Sequence, residues 1–191
     1  MNSLCMSLSL RKESFNTKLI HIVVNILAKE KDVKTQLVDL NDFQMPAYNA
    51  DIQNNEGFPK TSDALAEKIK VSDGWIIASP ENNFSYPGFF KNMFDWMSRY
   101  RPMPWVDKPV LLMSASPSLV GGNRGLWHLR QPFESTNAFV YPDMFSLASA
   151  HNAFDDKGEL KDHALAERLA TTVRGFIRYA TALSSANVKT G

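Results

Sequence analysis

The sequence predicts an α/β fold, a doubly wound five-stranded parallel sheet with helices on both faces, and three observations carry that expectation. Short apolar runs at 3–8, 75–78 and 109–113 have the unbroken hydrophobic character of strands buried on both sides. Apolar residues at helical spacing follow each run. Between run and helix lies a loop rich in Ser, Asn, Pro or Gly, which is where an open α/β sheet binds its ligands.

Taken in order, 3–8 is the first strand, and it passes into the polar segment S-L-R-K-E-S-F-N at 9–16. From Ser14, a fitting N-cap, Phe15, Leu19, Ile22, Val23, Ile26 and Leu27 line one side of a helix. The second strand is 33–40, where Val33, Thr35 and Leu37 alternate with polar residues before Val38. A connection at 41–60 with Pro46, Gly57 and Pro59 is long enough to suggest a functional or interface loop. Thr61, Ser62 and Asp63 open a short helix carrying Leu65 and Ile69.

The third strand, W-I-I-A at 75–78, leads into a loop bounded by Pro80 and Pro87. Phe89, Phe90, Met93, Phe94 and Met97 then mark a helix. The ring- and proline-rich segment 100–107 fits either packing over the helix end or contact with another subunit. The fourth strand, 109–113, ends in S-A-S-P-S, and G-G-N-R-G at 121–125 starts a helix with Leu126, Leu129 and Phe133. A last strand at 139–147 is broken at Pro142, and Leu165, Leu169, Val173, Phe176 and Ile177 form the apolar side of the final helix. The chain reads as one domain over 1–191 with a frayed tail at 184–191.

Composition excludes several function classes. Net charge is +1 without a Lys/Arg block, so no nucleic-acid partner is expected. No apolar run reaches the roughly 20 residues of a membrane span. The single cysteine, Cys5, excludes an intrachain disulfide, and the four histidines have no metal-ligand spacing. A cytoplasmic protein is expected.

Strand, polar loop and helix start form a geometry that holds phosphate, because first-turn N–H groups and the helix dipole face the anion while hydroxyls and an arginine donate further bonds. Serines acting as caps, with Arg11 and Lys12 solvated, is the bland alternative. The loop after the third strand, with two asparagines and two aromatics between its prolines, reads as a ligand platform. The glycines at 121–125 permit close approach to a planar ring or simply a tight turn. A flavodoxin-like strand order, 2-1-3-4-5, brings these three loops to one crevice.

The segment P-E-N-N-F-S-Y-P-G-F-F-K-N-M-F-D-W-M-S-R at 80–99 resembles P-E-Y-N-x-S-x-P-G-x-L-K-N-x-x-D-W-x-S-R of the NADPH-dependent FMN reductase family, flavodoxin-like enzymes that include azo-dye, quinone and chromate reductases. The 9–16 loop is similar to the family's phosphate loop, G-S-L-R-x-x-S-x-N, and the 114–122 segment to its S-A-S-P-G…G-G loop. The resemblance implies that Ser9, Arg11, Ser14 and Asn16 hold the FMN phosphate, with Phe15 beside them. It implies ring contacts from Pro80, Glu81, Asn82, Asn83 and Phe84, with Ser114, Ser116, Gly121 and Gly122 opposite. It further implies NADPH as donor, a small-molecule acceptor (a quinone, azo compound, free flavin or metal oxyanion), no catalytic side chain, and a homodimer or homotetramer. Leu8 stands where the family carries glycine, adding bulk at the phosphate loop, and Asn82 replaces a tyrosine, removing an aromatic contact.

Two rival readings stand beside this one. Cys5 and Arg11 satisfy the C-x5-R spacing of low-molecular-weight tyrosine phosphatases, although the loop lacks glycine and no Asp-Pro acid is present. A non-catalytic electron carrier or binding protein with a weakened flavin site is the other.

Overall fold

The computed structural model describes residues 1–187. Six strands build one all-parallel sheet: β1 (Asn2–Ser7), β2 (Lys34–Val38), β3 (Gly74–Ala78), β4 (Pro109–Ala115), β5 (Phe139–Val140) and β6 (Phe145–Leu147). The order is β2-β1-β3-β4-β5, with β6 also on β4, so the expected 2-1-3-4-5 arrangement holds and its last place is shared by two short strands. Pro142, which has no N–H to give a ladder, lies in the gap between them.

Side-chain alternation along β1 divides the interior into two cores. Leu4, Met6 and Leu8 face α3 (Lys60–Lys70), α4 (Gly88–Met97) and α5 (Asn123–Glu134), together with Trp75, Ile77, Val110 and Leu112. Cys5 faces α1 (Phe15–Leu27), the short α6 (Ala150–Ala153) and α7 (His163–Asn187), together with Ile76, Leu111 and Met113. Every residue of β3 and β4 is buried, which is why those strands read as continuous apolar runs.

The first core is built on rings. Phe94 stacks on Trp105 at 4.2 Å and meets Phe133 edge-on at 5.3 Å, while Trp75 meets Phe133 at 5.4 Å. Trp105, from the segment 100–107, is fully buried and donates its indole N–H to the Thr136 hydroxyl (2.8 Å), so that part of the segment packs inside the chain. Each such ring contributes roughly 1.5–3 kcal/mol by burial.

The long connection contains α2 (Ala50–Glu56), which has no buried residue. It is strapped to α4 instead. Asn92 donates to the Pro46 carbonyl (2.9 Å) and accepts from the Tyr48 N–H (2.7 Å), and the Trp96 indole donates to the same carbonyl (2.8 Å). α3 begins at Lys60, one residue before the expected opening at Thr61, and its N-cap residue, Pro59, makes no side-chain cap bond. α7 runs on through Ser184 to Asn187, and the end of the segment expected to be a frayed tail, 188–191, lies outside the described residues. Among the described residues no helix is long and apolar enough to cross a membrane.

Removing the strap's anchor tests its importance. Asn92→Ala is expected to lower stability by about 1–2 kcal/mol in urea titration and to speed proteolysis within 44–59.

Candidate functional site

Parallel pairing sets Ser7 opposite Ala78, and Ala78 opposite Met113, so β1 and β3 end level and β4 runs two residues further at the same edge of the sheet. The loops that follow open onto a single cleft of about 460 Å³, within the usual range for small-ligand sites. Residues of the stretches 8–16, 80–89 and 115–117 line it.

The first loop is pre-shaped. The Leu8 N–H continues the ladder by donating to the Ala78 carbonyl (2.8 Å), and its side chain, 1% exposed, belongs to the core cluster. The bulk at this position is therefore taken up by the core, and the cleft stays open. Ser7 and Ser9 hydroxyls accept from the N–H groups two residues on, at 3.2 and 3.3 Å. Ser14 caps α1 by accepting from the Asn16 and Thr17 N–H groups. Arg11 donates to the Glu13 carbonyl (2.6 Å), which holds an exposed guanidinium across the loop beside the start of α1.

Asn16 is engaged elsewhere. Its Nδ2 donates to the Ala115 carbonyl (3.0 Å) and its Oδ1 accepts from the Ala115 N–H (2.9 Å), with the residue 3% exposed. The side chain expected on a phosphate thus clips the helix start to the end of β4.

The second loop is a hairpin tip. The Asn82 N–H donates to the Ser85 carbonyl (2.7 Å), and the Ser85 N–H donates back to Asn82 (2.9 Å). Asn83 and Phe84 between them have φ of 49° and 66°, the signature of a type I′ turn built without glycine. Before the turn, the Glu81 carboxylate is nearly buried and accepts from Arg124 Nη2 (2.6 Å), Arg124 Nε (3.0 Å) and the Gly125 N–H (3.1 Å). That N–H belongs to the third residue of α5, so Glu81 caps the helix from another loop. After the turn, the Arg124 guanidinium lies 3.9 Å from the Phe84 ring centroid. Burial raises the phenol of Tyr86, with the charge of Lys91 opposing and that of Asp95 adding.

In the third loop, the Ser116 N–H donates to the Leu147 carbonyl (3.1 Å) and its hydroxyl receives the Ser118 N–H (3.2 Å). Gly121 and Gly122 have φ of 61° and 84°. A side chain at Gly121 would come within 2.8 Å of the Leu147–Ala148 backbone, and one at Gly122 would overlap the Ser114 hydroxyl. These glycines serve close packing behind the rim.

Of the residues singled out in sequence, Ser9, Arg11, Ser14, Phe15, Asn16, Pro80, Glu81, Asn82 and Ser116 come together on the cleft. Asn83 and Phe84 lie at the hairpin tip, and Ser114, Gly121 and Gly122 lie behind the lining. Leu10, Phe89, Ala115 and Pro117 also line it and were not singled out, because their apolar side chains carry no chemical signal in sequence. Arg124 was missed as a partner of Glu81 because the two are 43 residues apart.

Cys5 takes no part. It is fully buried inside the sheet, and burial pushes its thiol from 9.0 to about 12, with a weak contact to the Ser3 hydroxyl offsetting only part of this. A phosphatase nucleophile has to be a thiolate reaching the ligand, so the C-x5-R reading fails. Among the described residues no group of His, Cys, Asp and Glu is placed to hold a metal ion.

The family described as NADPH-dependent FMN reductase matches residues 1–152. A quinone reductase of Escherichia coli K12 is 36% identical over 170 residues, covering 88% of this chain and 89% of the relative. An NADPH:quinone oxidoreductase of Arabidopsis thaliana is 35% identical over 173 residues, covering 84% and 82%. Among solved structures, a flavoenzyme NAD(P)H:(acceptor) oxidoreductase from Paracoccus denitrificans superposes with a TM-score of 0.81 at 27% identity, covering 95% of this chain and 97% of that one. Flavodoxin 1 of Bacillus cereus, at 10% identity and a TM-score of 0.59, shares the fold.

Two measurements follow from this geometry. Asn16→Ala leaves the buried N–H and carbonyl of Ala115 unpaired and is expected to cost about 2–3 kcal/mol in urea unfolding. Because the folded Cys5 thiol keeps its proton above the unfolded value of 9.0, its stabilisation is complete below about pH 9 and is lost as pH rises toward about 12. The unfolding midpoint of the wild type should therefore fall more steeply than that of Cys5→Ala across that interval.

Proposed function

Because this chain belongs to the NADPH-dependent FMN reductase family, we propose that the cleft at the strand ends is its flavin site and that a quinone is its acceptor. The observation that carries this reading is the meeting, in one cleft of about 460 Å³, of a cationic loop at the start of α1 with two walls whose one carboxylate, Glu81, is paired with Arg124. That donor set fits FMN, which carries an anionic phosphate at one end and a flat ring system at the other. The names of the relatives support the quinone, while azo compounds, free flavin and metal oxyanions form the wider acceptor class.

FMN held there would supply the redox chemistry between NADPH and the acceptor. Every other requirement falls on the protein. Ser9, Arg11 and Ser14 would hold the phosphate at the start of α1, whose dipole favours a negative charge there. Phe15 and Asn16 line that end, Asn16 while also joined to Ala115. Pro80, Glu81 and Asn82 present one wall to the ring, and Ala115, Ser116 and Pro117 another. The Asn82 amide offers a hydrogen bond to a ring edge in place of an aromatic contact. Asn83 and Phe84 support the wall from the hairpin tip, and Ser114, Gly121 and Gly122 support it from behind.

A homodimer or homotetramer belongs to this reading. Phe84 (59% exposed) and Trp127 (57% exposed) sit around the start of α5 beside the hairpin, with the exposed Leu119 and Val120 just before it, an apolar group suited to a second copy. A cytoplasmic setting also belongs to it, in keeping with the lone reduced thiol of Cys5.

Purified protein is expected to be yellow or to bind added FMN, and to oxidise NADPH when a quinone is present. Arg11→Ala should weaken FMN by about 10- to 100-fold, the worth of a charge-assisted bond, while leaving riboflavin, which has no phosphate, unchanged. Equal loss for both ligands would remove Arg11 from the phosphate.

A further inference from the structure

We propose that Arg124, although it does not line the cleft, is a positioning residue for the flavin ring, because it fixes from behind the loop that forms the ring's wall. The inference rests on the FMN reading above. Pro80, Glu81 and Asn82 line the cleft, and the only regular hydrogen bonding within their loop is the Asn82–Ser85 pair. The turn closing that pair places two side-chain-bearing residues at positive φ, Asn83 at 49° and Phe84 at 66°. Asparagine tolerates this region, but phenylalanine is uncommon there and persists only where the surroundings hold it.

Arg124 provides that hold on both sides of the turn. Its Nε and Nη2 donate to Glu81 Oε1 at 3.0 and 2.6 Å, and its guanidinium lies on the Phe84 ring at 3.9 Å. A planar, forked cation is the group that can pair with a carboxylate through its edge while covering a ring with its face. Glu81 Oε2 accepts from the Gly125 N–H (3.1 Å), so the carboxylate is also seated on the first turn of α5. The Glu81 side chain is only 7% exposed, so without Arg124 it would be a nearly buried charge facing one N–H group. α5 is cut to receive the loop: a Cβ on Gly125 would stand 3.2 Å from the Ser85 carbonyl and 3.3 Å from Glu81 Cα. Asn82 lies between the two points that Arg124 secures, so moving the brace moves the wall.

The test compares wild type, Arg124→Ala and Arg124→Lys. Each is titrated with FMN, its visible circular dichroism is recorded at FMN saturation, and the melting midpoint of its apoprotein is measured. Arg124→Ala is expected to bind FMN about 10-fold more weakly and to show an altered visible dichroism of the bound flavin, with an apoprotein midpoint lowered by several degrees because Glu81 loses its partner. Arg124→Lys keeps the charge but not the fork or the plane, so it should recover only part of the affinity. A purely structural role would lower the midpoint and leave the saturated flavin spectrum unchanged, and that result overturns the proposal. So does binding within twofold of wild type with an unaltered spectrum. Should Arg124→Ala not fold, the spectrum of Arg124→Lys decides by the same criterion. Wild-type protein that leaves FMN unbound overturns the FMN reading itself, and this inference with it.

Discussion

The Asn16 amide and the Ala115 backbone exchange two hydrogen bonds across 99 residues of chain, and the cleft depends on that clip. Parallel register brings the ends of β1, β3 and β4 to one edge of the sheet, but a shared edge does not by itself fix the loops beyond it. The clip does so for two of the three, joining the first turn of α1 to the last residue of β4 in a buried place where water cannot substitute for either bond. The loop before α1 and the far wall of the cleft are thereby placed relative to each other.

The remaining wall is held by a different kind of contact. Glu81, Arg124 and Phe84 join the hairpin to α5 through an ion pair, a helix cap and a ring face, while Asn92 and Trp96 tie the 41–59 connection to the helix that follows the hairpin. Behind these loops the positions are set by close approach. Gly121 and Gly122 lie where backbone or hydroxyl leaves no space for a side chain.

What was legible in sequence follows from the range of the forces involved. Hydrophobic runs and their alternation are local, so the strands, the Ser14 cap and the break at Pro142 could be read directly. The meeting of three loops was legible too, because strand order in a doubly wound sheet dictates it. α2 was not, since a helix with no buried residue leaves no apolar period. Nor was the use of Asn16, whose partner is the backbone of a distant strand, or the pairing of Glu81 with Arg124. Gly121 and Gly122 invited a reading of ring contact because a positive φ beside a neighbouring strand and a close approach to a ligand ask for the same residue. Leu8 shows the converse: a bulky residue at the start of the first loop leaves the cleft open because its side chain lies in the core.

The central claim is that the loops after β1, β3 and β4 grip one flavin. Amide chemical shifts recorded during FMN titration of the apoprotein test it most directly. The account predicts that the large changes cluster in residues 8–16, 80–89 and 114–118 and saturate together at a single affinity. Changes centred at the opposite ends of the strands, or an unaltered spectrum at saturating FMN, would contradict it.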